Sequence, residues 1–201
     1  MKQIIYRPLV ATDARDDLLS GFVRRQIVTY CRRRIDGEWR VVDAPFVDDW
    51  TATDRQRKLR QIRECISLGG FVAGALVCGD KPDGNHENDI RPDSDSDNCR
   101  HDRLVGFVML EPEPLGSRGQ YLDMSSLHVS ADLRRHGIGS TLFGMAANKA
   151  RELGAEKLYI SAHSAVESQA FYTSVGCVDA EEYDTAHVKA EPYDCQLEYV
   201  L

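Results

Sequence analysis

The stretch LHVSADLRRHGIGSTLF covers residues 127–143. Its apolar residues alternate with polar ones at the start, as in a strand, and recur at helical spacing at the end. Arg134, Arg135 and His136 lie between the two halves, followed closely by Gly137 and Gly139. A helix N-terminus carries unpaired N–H groups and a partial positive charge. Because glycines let an anion approach the backbone closely, the stretch predicts a phosphate-binding turn between a strand and a helix.

The turn does not match the two most familiar nucleotide-binding loops. A Walker A loop ends in Gly-Lys-Ser/Thr, which is missing here, and a GxGxxG loop needs a third glycine at a spacing that this sequence lacks. Taken alone, two glycines and two arginines fit a purely structural turn about as well as an anion site.

The segments around the turn alternate only in part between strands and helices, which predicts an α/β (α+β) domain with a mixed sheet. Helices are predicted at 12–34, 51–70, 137–154 and 164–176, from caps and apolar spacing. Strands are predicted at 3–10, 71–79, 103–110, 120–130, 155–163, 177–183 and 193–201.

Residues 80–102 are almost devoid of apolar side chains and rich in Asp, Asn, Ser, Pro and Gly. Such a composition cannot bury a core, so we predict a single domain over 1–201 with an acidic, flexible insertion at about 80–103. Its DSDSDN run differs from a calcium-binding EF-hand loop, because Asn98 replaces the glycine and Leu104 the final glutamate. No metal is expected.

Composition narrows the classes of partner. Acidic residues outnumber basic ones by 32 to 25 and the net charge is −7, which argues against nucleic-acid binding. The apolar runs are too short for a membrane span, and the N-terminus does not read as a secretion signal, so we predict a cytoplasmic protein. The six cysteines form no CxxC pair and no zinc-ligand pattern.

The order of motifs along residues 104–180 resembles that of the GNAT superfamily of acyl-CoA-dependent N-acetyltransferases. The family has Gln/Arg-x-x-Gly-x-Gly/Ala at its turn and Ala/Ser-x-x-Phe/Leu-Tyr-x-x-x-Gly-Phe in a later helix. The first pattern is matched by Arg134, Gly137 and Gly139, and the second by Ser168, Phe171, Tyr172 and Gly176. Cys177 replaces the usual final Phe.

The resemblance implies a mostly antiparallel central sheet of about six to seven strands, splayed in the middle and flanked by helices. It also implies that the turn holds the pyrophosphate of acetyl-CoA, the co-substrate, and that the strand before it pairs with the pantetheine arm. The N–H of Val129, or one near it, would then stabilise the oxyanion. The implied binding residues are Leu127, His128, Val129, Arg134, Arg135, His136, Gly137, Ile138, Gly139, Ser140 and Ser168.

The resemblance implies two catalytic residues. Tyr172 matches the family tyrosine that protonates the leaving thiolate, although a packing tyrosine is the alternative. Asp123 occupies the place of a family glutamate base and would act directly or through a water; an ordinary polar strand residue is its alternative. Ala165 stands where many members have Asn, and Ser164 is the candidate replacement. Strand alternation puts His128 on the face opposite Leu127 and Val129, where a structural role is also open.

We therefore predict an N-acetyltransferase that moves the acetyl group of acetyl-CoA to an amine of a small molecule, peptide or protein by direct attack in a ternary complex. The loop 37–50, with its aromatic and acidic side chains, suits either an amine pocket or a packed loop. A non-catalytic acyl-CoA-binding or regulatory module, and a structural protein with a coincidental turn, remain the alternatives. Exposed closing strands would allow a homodimer.

Overall fold

The computed structural model describes residues 3–78 and 102–201, so the predicted insertion lies almost wholly outside the described residues. The helices are α1 (Ala52–Ser67), α2 (Ile138–Glu152), α3 (Val166–Ser174) and α4 (Thr185–Ala190). The strands are β1 (Ile4–Pro8), β2 (Arg25–Ile35), β3 (Glu38–Asp49), β4 (Phe71–Val77), β5 (Arg103–Leu110), β6 (Pro114–Leu115), β7 (Tyr121–Asp123), β8 (Ser126–Val129), β9 (Lys157–Ala162), β10 (Val178–Asp179) and β11 (Cys195–Val200).

The strands form two sheets and a separate hairpin. One sheet has the order β1-β4-β5-β8, the other has the order β10-β11-β9-β7-β6, and β2 pairs with β3. All strand pairs are antiparallel except β7 with β9. The predicted fold class, mixed and mostly antiparallel with flanking helices, is confirmed.

The segment 120–130, predicted as one strand, is divided between the two sheets. Residues of β7 pair with β9, whereas those of β8 pair with β5. The last backbone bond across the join runs from the Met124 N–H to the Tyr159 carbonyl at 2.9 Å. Beyond this point β8 and β9 diverge. The gap between them is the predicted splay, and it begins at residues 123–124.

Two apolar clusters hold the helices on the sheets. Helix α2 buries Leu142, Phe143 and Ala146 in the larger cluster, which also contains Leu158 and Ile160 of β9. Helix α1 buries an i, i+3, i+6 face, Leu59, Ile62 and Cys65, in the second cluster, as its spacing predicted. A Cβ on Gly106 of β5 would lie 2.9 Å from Ile138 and Leu142, so this glycine lets α2 pack closely on the sheet.

The helix predicted at 12–34 is wrong. Residues 11–21 form turns, and β2 runs through the second half of the segment as one arm of a hairpin. Asp36 and Gly37, with φ of 51° and 83°, make the two-residue turn typical of tight hairpins. Ile27 is 67% exposed and its neighbour Val28 is 1% exposed, which is the alternation of a strand. The physical reason is the Asp-Gly turn and the β-branched residues, which favour a paired strand.

The hairpin packs beside α3. Cys31 and Ala165 are both fully buried and form a β-bridge, and the Arg32 N–H donates to the Ser164 carbonyl at 2.8 Å. Helix α4, between β10 and β11, was not predicted; the sequence analysis placed a strand at 177–183, of which only Val178–Asp179 is one. The hairpin and α4 thus form the walls on either side of the opening between β8 and β9.

Candidate active site

A cleft of about 1120 Å³ follows the opening between β8 and β9. The turn end of the cleft is lined by residues 127–129, 134–135 and 137–140. The α4 end is lined by Asp123, His187, Glu191 and Asp194. The β3 segment 46–49 lines a third side. The cleft therefore joins the sequence-predicted turn to a region that the sequence analysis did not identify.

Strand β8 presents to this cleft an edge that no other strand pairs with, although the Val129 carbonyl accepts from Arg134 Nε at 3.3 Å. The Ser130 N–H donates to Val105 of β5 at 2.8 Å, and His128 lies opposite Phe107. Because hydrogen-bonded pairs alternate along antiparallel strands, the backbone groups of Leu127 and Val129 point away from β5. β8 has no partner strand on that side. An extended substrate could add to this edge as a strand does.

The turn is shaped by two residues with left-handed backbone. Arg135 has a φ of 63° and Gly137, the N-cap of α2, has a φ of 79°. The N–H groups of the first turn of α2 have no intrahelical acceptor and lie at the positive end of the helix. The guanidinium groups of Arg134 and Arg135 add two positive charges. This arrangement fits a pyrophosphate bound through the backbone and neutralised by two arginines.

Most residues predicted to bind the co-substrate line the cleft. The exception is His136, whose Nδ1 is 2.8 Å from the Arg134 carbonyl oxygen and whose side chain is not part of the cleft wall. Ser164 is also elsewhere, because it is buried and its hydroxyl accepts a hydrogen bond from Arg33. The predicted residues that line the cleft are Leu127, His128, Val129, Arg134, Arg135, Gly137, Ile138, Gly139, Ser140 and Ser168.

His128 lies on the face of β8 opposite Leu127 and Val129, as the alternation predicted. Its ring packs edge-on against Trp50 at 5.0 Å and against Phe107 at 5.3 Å, while Leu127 and Val129 pack on the larger cluster. Burial lowers the pKa of His128 well below its ordinary value, and nearby Lys58 lowers it further. A neutral, aromatic-packed imidazole suits a structural role at this position.

Two cations from outside the turn also line the cleft. Arg24 is buried, pairs with Asp48, and has an Nε with no hydrogen-bond partner among the described residues. Lys58 donates to the Ser126 hydroxyl at 3.0 Å, and burial lowers its pKa to about 8. Together with Arg134 they make the wall near β8 electropositive, so the positive charge extends beyond the turn itself.

Tyr172 lines the cleft from α3. Its hydroxyl has no hydrogen-bond partner in the described ranges, 3–78 and 102–201. Burial raises the pKa of Tyr172 above its ordinary value, and the charges of Cys177 and Asp194 add to this effect. The phenol therefore keeps its proton at neutral pH and is available as a donor to a group bound in the cleft.

Asp123 lies at the apex, where the two sheets separate. Its side chain is 8% exposed, and its Oδ2 accepts a hydrogen bond from His187 Nε2 at 3.0 Å. Its Oδ1 is buried without a partner among the described residues. The hydrogen bond from Asp123 raises the pKa of His187 above its ordinary value, against the opposing effect of burial. Asp123 and His187 thus form a pair at the α4 end of the cleft.

Further carboxylates surround this pair. Asp194 makes no ion pair within the described residues, and burial together with Glu191 raises its pKa to about 6. Glu191 is exposed at the mouth of the cleft. The α4 end of the cleft is therefore acidic, in contrast to the positive turn end, and attracts cations.

Comparison with known proteins agrees with this geometry. The family model described as Acetyltransferase (GNAT) family matches residues 78–177. The chain belongs to the GNAT acetyltransferase family. Family membership makes it an acetyl-CoA-dependent acetyltransferase, which confirms the predicted family, enzyme class and co-substrate.

Solved structures share the fold of this GNAT chain at low sequence identity. A nourseothricin acetyltransferase is 19% identical with a TM-score of 0.59, over 97% of this chain and 95% of that one. A Bacillus anthracis str. Ames protein crystallised with acetyl coenzyme A is 16% identical with a TM-score of 0.63, over 99% of both chains. The PaiA N-acetyltransferase of Thermoplasma acidophilum, solved with coenzyme A, is 13% identical with a TM-score of 0.52, over 99% of both. No curated protein sequence matches the chain.

His187, Lys58 and Arg24 of this GNAT chain line the cleft and were not predicted from the sequence. None of them belongs to a local motif, and each reaches the cleft through the fold. Within the described residues, no helix is long and apolar enough to span a membrane. In the same part of the chain, no three His, Cys, Asp or Glu residues cluster as metal ligands would.

Proposed function

We propose that the protein is an N-acetyltransferase that transfers the acetyl group of acetyl-CoA directly to a cationic amine in a ternary complex. The observation that carries the proposal is the single cleft that joins an anion-binding turn, an unpaired strand edge and an acidic end. Acetyl-CoA would enter from the turn end and the amine from the α4 end, so that both meet near the apex of the splay.

The co-substrate fits the turn end. Main-chain N–H groups of residues 138–140, with Arg134 and Arg135, would hold the pyrophosphate. The backbone groups of Leu127 and the N–H of Val129 would pair with the pantetheine arm, and the Val129 N–H would donate to the thioester carbonyl. This donor stabilises the oxyanion that forms when the amine attacks the carbonyl carbon. The Val129 carbonyl already accepts from Arg134 Nε at 3.3 Å.

Tyr172 is proposed as the general acid. As the carbon–sulfur bond breaks, the leaving thiolate takes the phenolic proton, which costs less than releasing a bare thiolate into the cleft. The phenol recovers a proton from solvent or from the acceptor nitrogen. The raised pKa of Tyr172 keeps the proton in place until the thiolate develops.

The acidic end supports a cationic acceptor. Asp194 and Glu191 are not neutralised by ion pairs within the described residues, and a protonated amine would gain charge pairing with them. Asp123 supplies the negative charge on which removal of the amine proton depends.

The alternative, a non-catalytic acyl-CoA-binding module, predicts a closed pocket beside the thioester. The cleft instead continues past β8 to His187 and Asp194, which leaves room for an acceptor and favours the enzyme. A peptide amine and a small-molecule amine are both compatible with this opening, and the homodimer and cytoplasmic location stay predictions.

Calorimetric titration with acetyl-CoA, dephospho-coenzyme A and adenosine nucleotides tests the co-substrate. We expect saturable binding that depends on the pantetheine arm. An amine panel with detection of coenzyme A thiol release then tests transfer, with boiled protein as control. A folded protein that binds no acetyl-CoA, or binds it and acetylates no amine, would contradict the proposed function.

A further inference from the structure

The Asp123 carboxylate is enclosed. Its Oδ2 is engaged by His187 and its Oδ1 is closed to solvent. A proton acceptor must come within about 3 Å of the group that it deprotonates. Because Oδ1 is closed to solvent and Oδ2 already accepts from His187, Asp123 is poorly placed to contact an acceptor amine directly. The side chain that can do so is its partner His187, which lines the cleft and is 29% exposed.

The hydrogen bond fixes which nitrogen of His187 is basic. A carboxylate only accepts hydrogen bonds, so the nitrogen that faces Asp123, Nε2, carries the proton. Nδ1 is then left with its lone pair, and it makes no hydrogen bond to any residue that the structure describes. The imidazole is thus oriented with its donor toward the protein and its base away from Asp123.

Short-range contacts hold the ring in this orientation. The Asp184 side chain caps α4 by accepting from the His187 N–H at 2.9 Å, and the Asp184 N–H donates to the Tyr159 hydroxyl at 2.9 Å. The imidazole also packs on the Tyr159 ring at 5.4 Å. A six-residue helix anchored at its cap and packed on β9 can therefore position a side chain accurately.

We propose that His187 Nδ1 accepts the proton of the acceptor ammonium, with Asp123 as the residue that orients and supports the imidazole. The proposal rests on the proposed function and assigns the base to an atom. Acceptors are accordingly aliphatic amines that arrive protonated, which the carboxylates of the α4 end attract.

Each proton that the acceptor ammonium loses has a destination in this scheme. The ammonium gives one proton to Nδ1, and the neutral amine forms the carbon–nitrogen bond. Tyr172 protonates the thiolate as the carbon–sulfur bond breaks, and the second proton of the nitrogen returns to the Tyr172 phenolate, directly or through solvent. The net products are an amide, a free thiol and one proton, which the His187 imidazolium returns to solvent.

Other histidines of the cleft are poorer candidates. His163 Nδ1 accepts a hydrogen bond from the Ala165 N–H at 3.1 Å, and burial lowers its pKa. His128 is packed between aromatic rings on the far face of β8. Neither faces a carboxylate at hydrogen-bond distance. His187 alone among these three has an anionic partner that stabilises the imidazolium.

The charged and titratable groups that face His187 set the expected pH dependence. They are Asp123 of β7, Asp184 at the α4 cap, Asp194 before β11 and Tyr159 of β9. The three carboxylates favour the imidazolium, so the neutral base is lost below a pH that lies above the ordinary value for histidine. kcat/KM should fall as pH decreases through that midpoint.

Two conservative variants test the pair by pH profiles. Asp123→Asn should shift the lower midpoint of kcat/KM to lower pH, because the carboxylate that raises the pKa of His187 is gone. His187→Gln should abolish that midpoint and lower kcat/KM by about 100-fold or more. His163→Gln is the matched control and should keep the wild-type midpoint. Loss of the midpoint in His163→Gln would overturn the assignment.

Acceptors that differ in protonation state at neutral pH distinguish a catalytic base at His187 from a residue with a structural role only. Benzylamine is protonated at neutral pH, whereas phenylhydrazine, of similar size, arrives neutral and needs no base before attack. Acetylated product should fall by about 100-fold with benzylamine in His187→Gln, and by less than about fivefold with phenylhydrazine. Equal losses with both acceptors would overturn the proposal.

A titration that needs no turnover distinguishes failure of this proposal from failure of the proposed function. The NMR signals of His187 in labelled protein should titrate at a lower pH in Asp123→Asn than in the wild type. If they do so while no amine is acetylated, the pair exists and the proposed function has failed, which removes the catalytic role with it. An unmoved titration overturns the pair itself.

Discussion

The two ends of the cleft are built in different ways. The turn end comes from one stretch of sequence within residues 127–140, in which backbone N–H groups and neighbouring arginines face the cleft. The α4 end is assembled from Asp123, His187 and Asp194, and the first two are 64 positions apart. A site made of backbone requires a particular local shape, whereas a site made of distant side chains requires only that the fold bring them together.

The two ends also differ in charge. Arg134, Arg135 and the α2 N-terminus make the turn end positive, while the α4 end collects carboxylates. The positive end would attract the anionic co-substrate and the acidic end the cationic acceptor, so that each enters the cleft from its own side. Mutations at each end should therefore have separable effects on affinity and turnover.

The largest effect is expected where the two ends meet. Tyr172→Phe removes the acid but keeps the ring, so kcat should fall by about 10²- to 10⁴-fold while the Kd for acetyl-CoA changes little. Steady-state kinetics and calorimetry on the same preparation measure both. Tyr193→Phe, at an exposed tyrosine outside the cleft wall, is the control and should behave as wild type. Equal turnover in both variants would remove Tyr172 as the acid.

The next effect tests the backbone of the turn end. Gly137→Val puts a β-branched residue at a φ of 79°, which costs about 1–3 kcal/mol of strain and should weaken acetyl-CoA binding by about 10- to 100-fold. Calorimetric titration measures the change in Kd.

The matched control for Gly137→Val is Gly144→Ala in the middle of α2. No neighbour lies within 4 Å of its added Cβ, so it should stabilise the protein by about 0.5–1 kcal/mol with unchanged affinity. Unaltered affinity in Gly137→Val would contradict a backbone cradle at the turn.

Sequence reasoning succeeded at the turn end and failed around the α4 end for the same physical reason. Glycines, arginines and helix spacing within residues 127–143 report a local backbone shape directly. His187 has no local signal, because a histidine on a short polar helix is common and its carboxylate partner is set by the pairing of β7 with β9. The base role of Asp123 stays a prediction, and its hydrogen-bond partner His187 was not predicted.

The hairpin β2–β3 shows a second kind of failure. The apolar residues between positions 12 and 34 recur at intervals that are compatible with a helix. However, Gly21 interrupts the segment, and Asp36 and Gly37 form a tight turn immediately after it. Two arms that pair over ten positions gain hydrogen bonds that a spacing argument does not weigh. The helix α1 and the strands β4, β5 and β11 were predictable, since their caps and apolar runs are strong.

A stability measurement sharpens the contrast between the two faces of the hairpin. Val28 is 1% exposed, so Val28→Ala should lower the free energy of unfolding by about 1.5–3 kcal/mol. Ile27, 67% exposed, is the control, and Ile27→Val should change it by less than about 0.5 kcal/mol. Urea unfolding measures both. A larger loss at Ile27 would restore the helical face and contradict the hairpin.

The smallest effect concerns the stability cost of the acidic end. Burial raises the pKa of Asp194 to about 6, so the folded protein is stabilised below pH 4 relative to higher pH, and this advantage is lost as pH rises through about 6. Asp194→Asn should therefore raise Tm more at pH 7.5 than at pH 4, by about 2–4 °C. Glu191→Gln, at an exposed carboxylate, should show no such difference. Equal gains at both pH values would contradict a buried charge at position 194.

The break between β7 and β8 ties the geometry of the reaction to the interior of the protein. Asp123 belongs to one sheet and Leu127 to the other, and the larger apolar cluster, with Leu142 and Ile160, fills the space that sets their separation. Core packing therefore sets the distance between the Asp123–His187 pair and the edge of β8 along which the thioester is proposed to lie. Substitutions that change the volume of this core should therefore lower kcat without changing the affinity at either end of the cleft, although they are remote from every reacting atom.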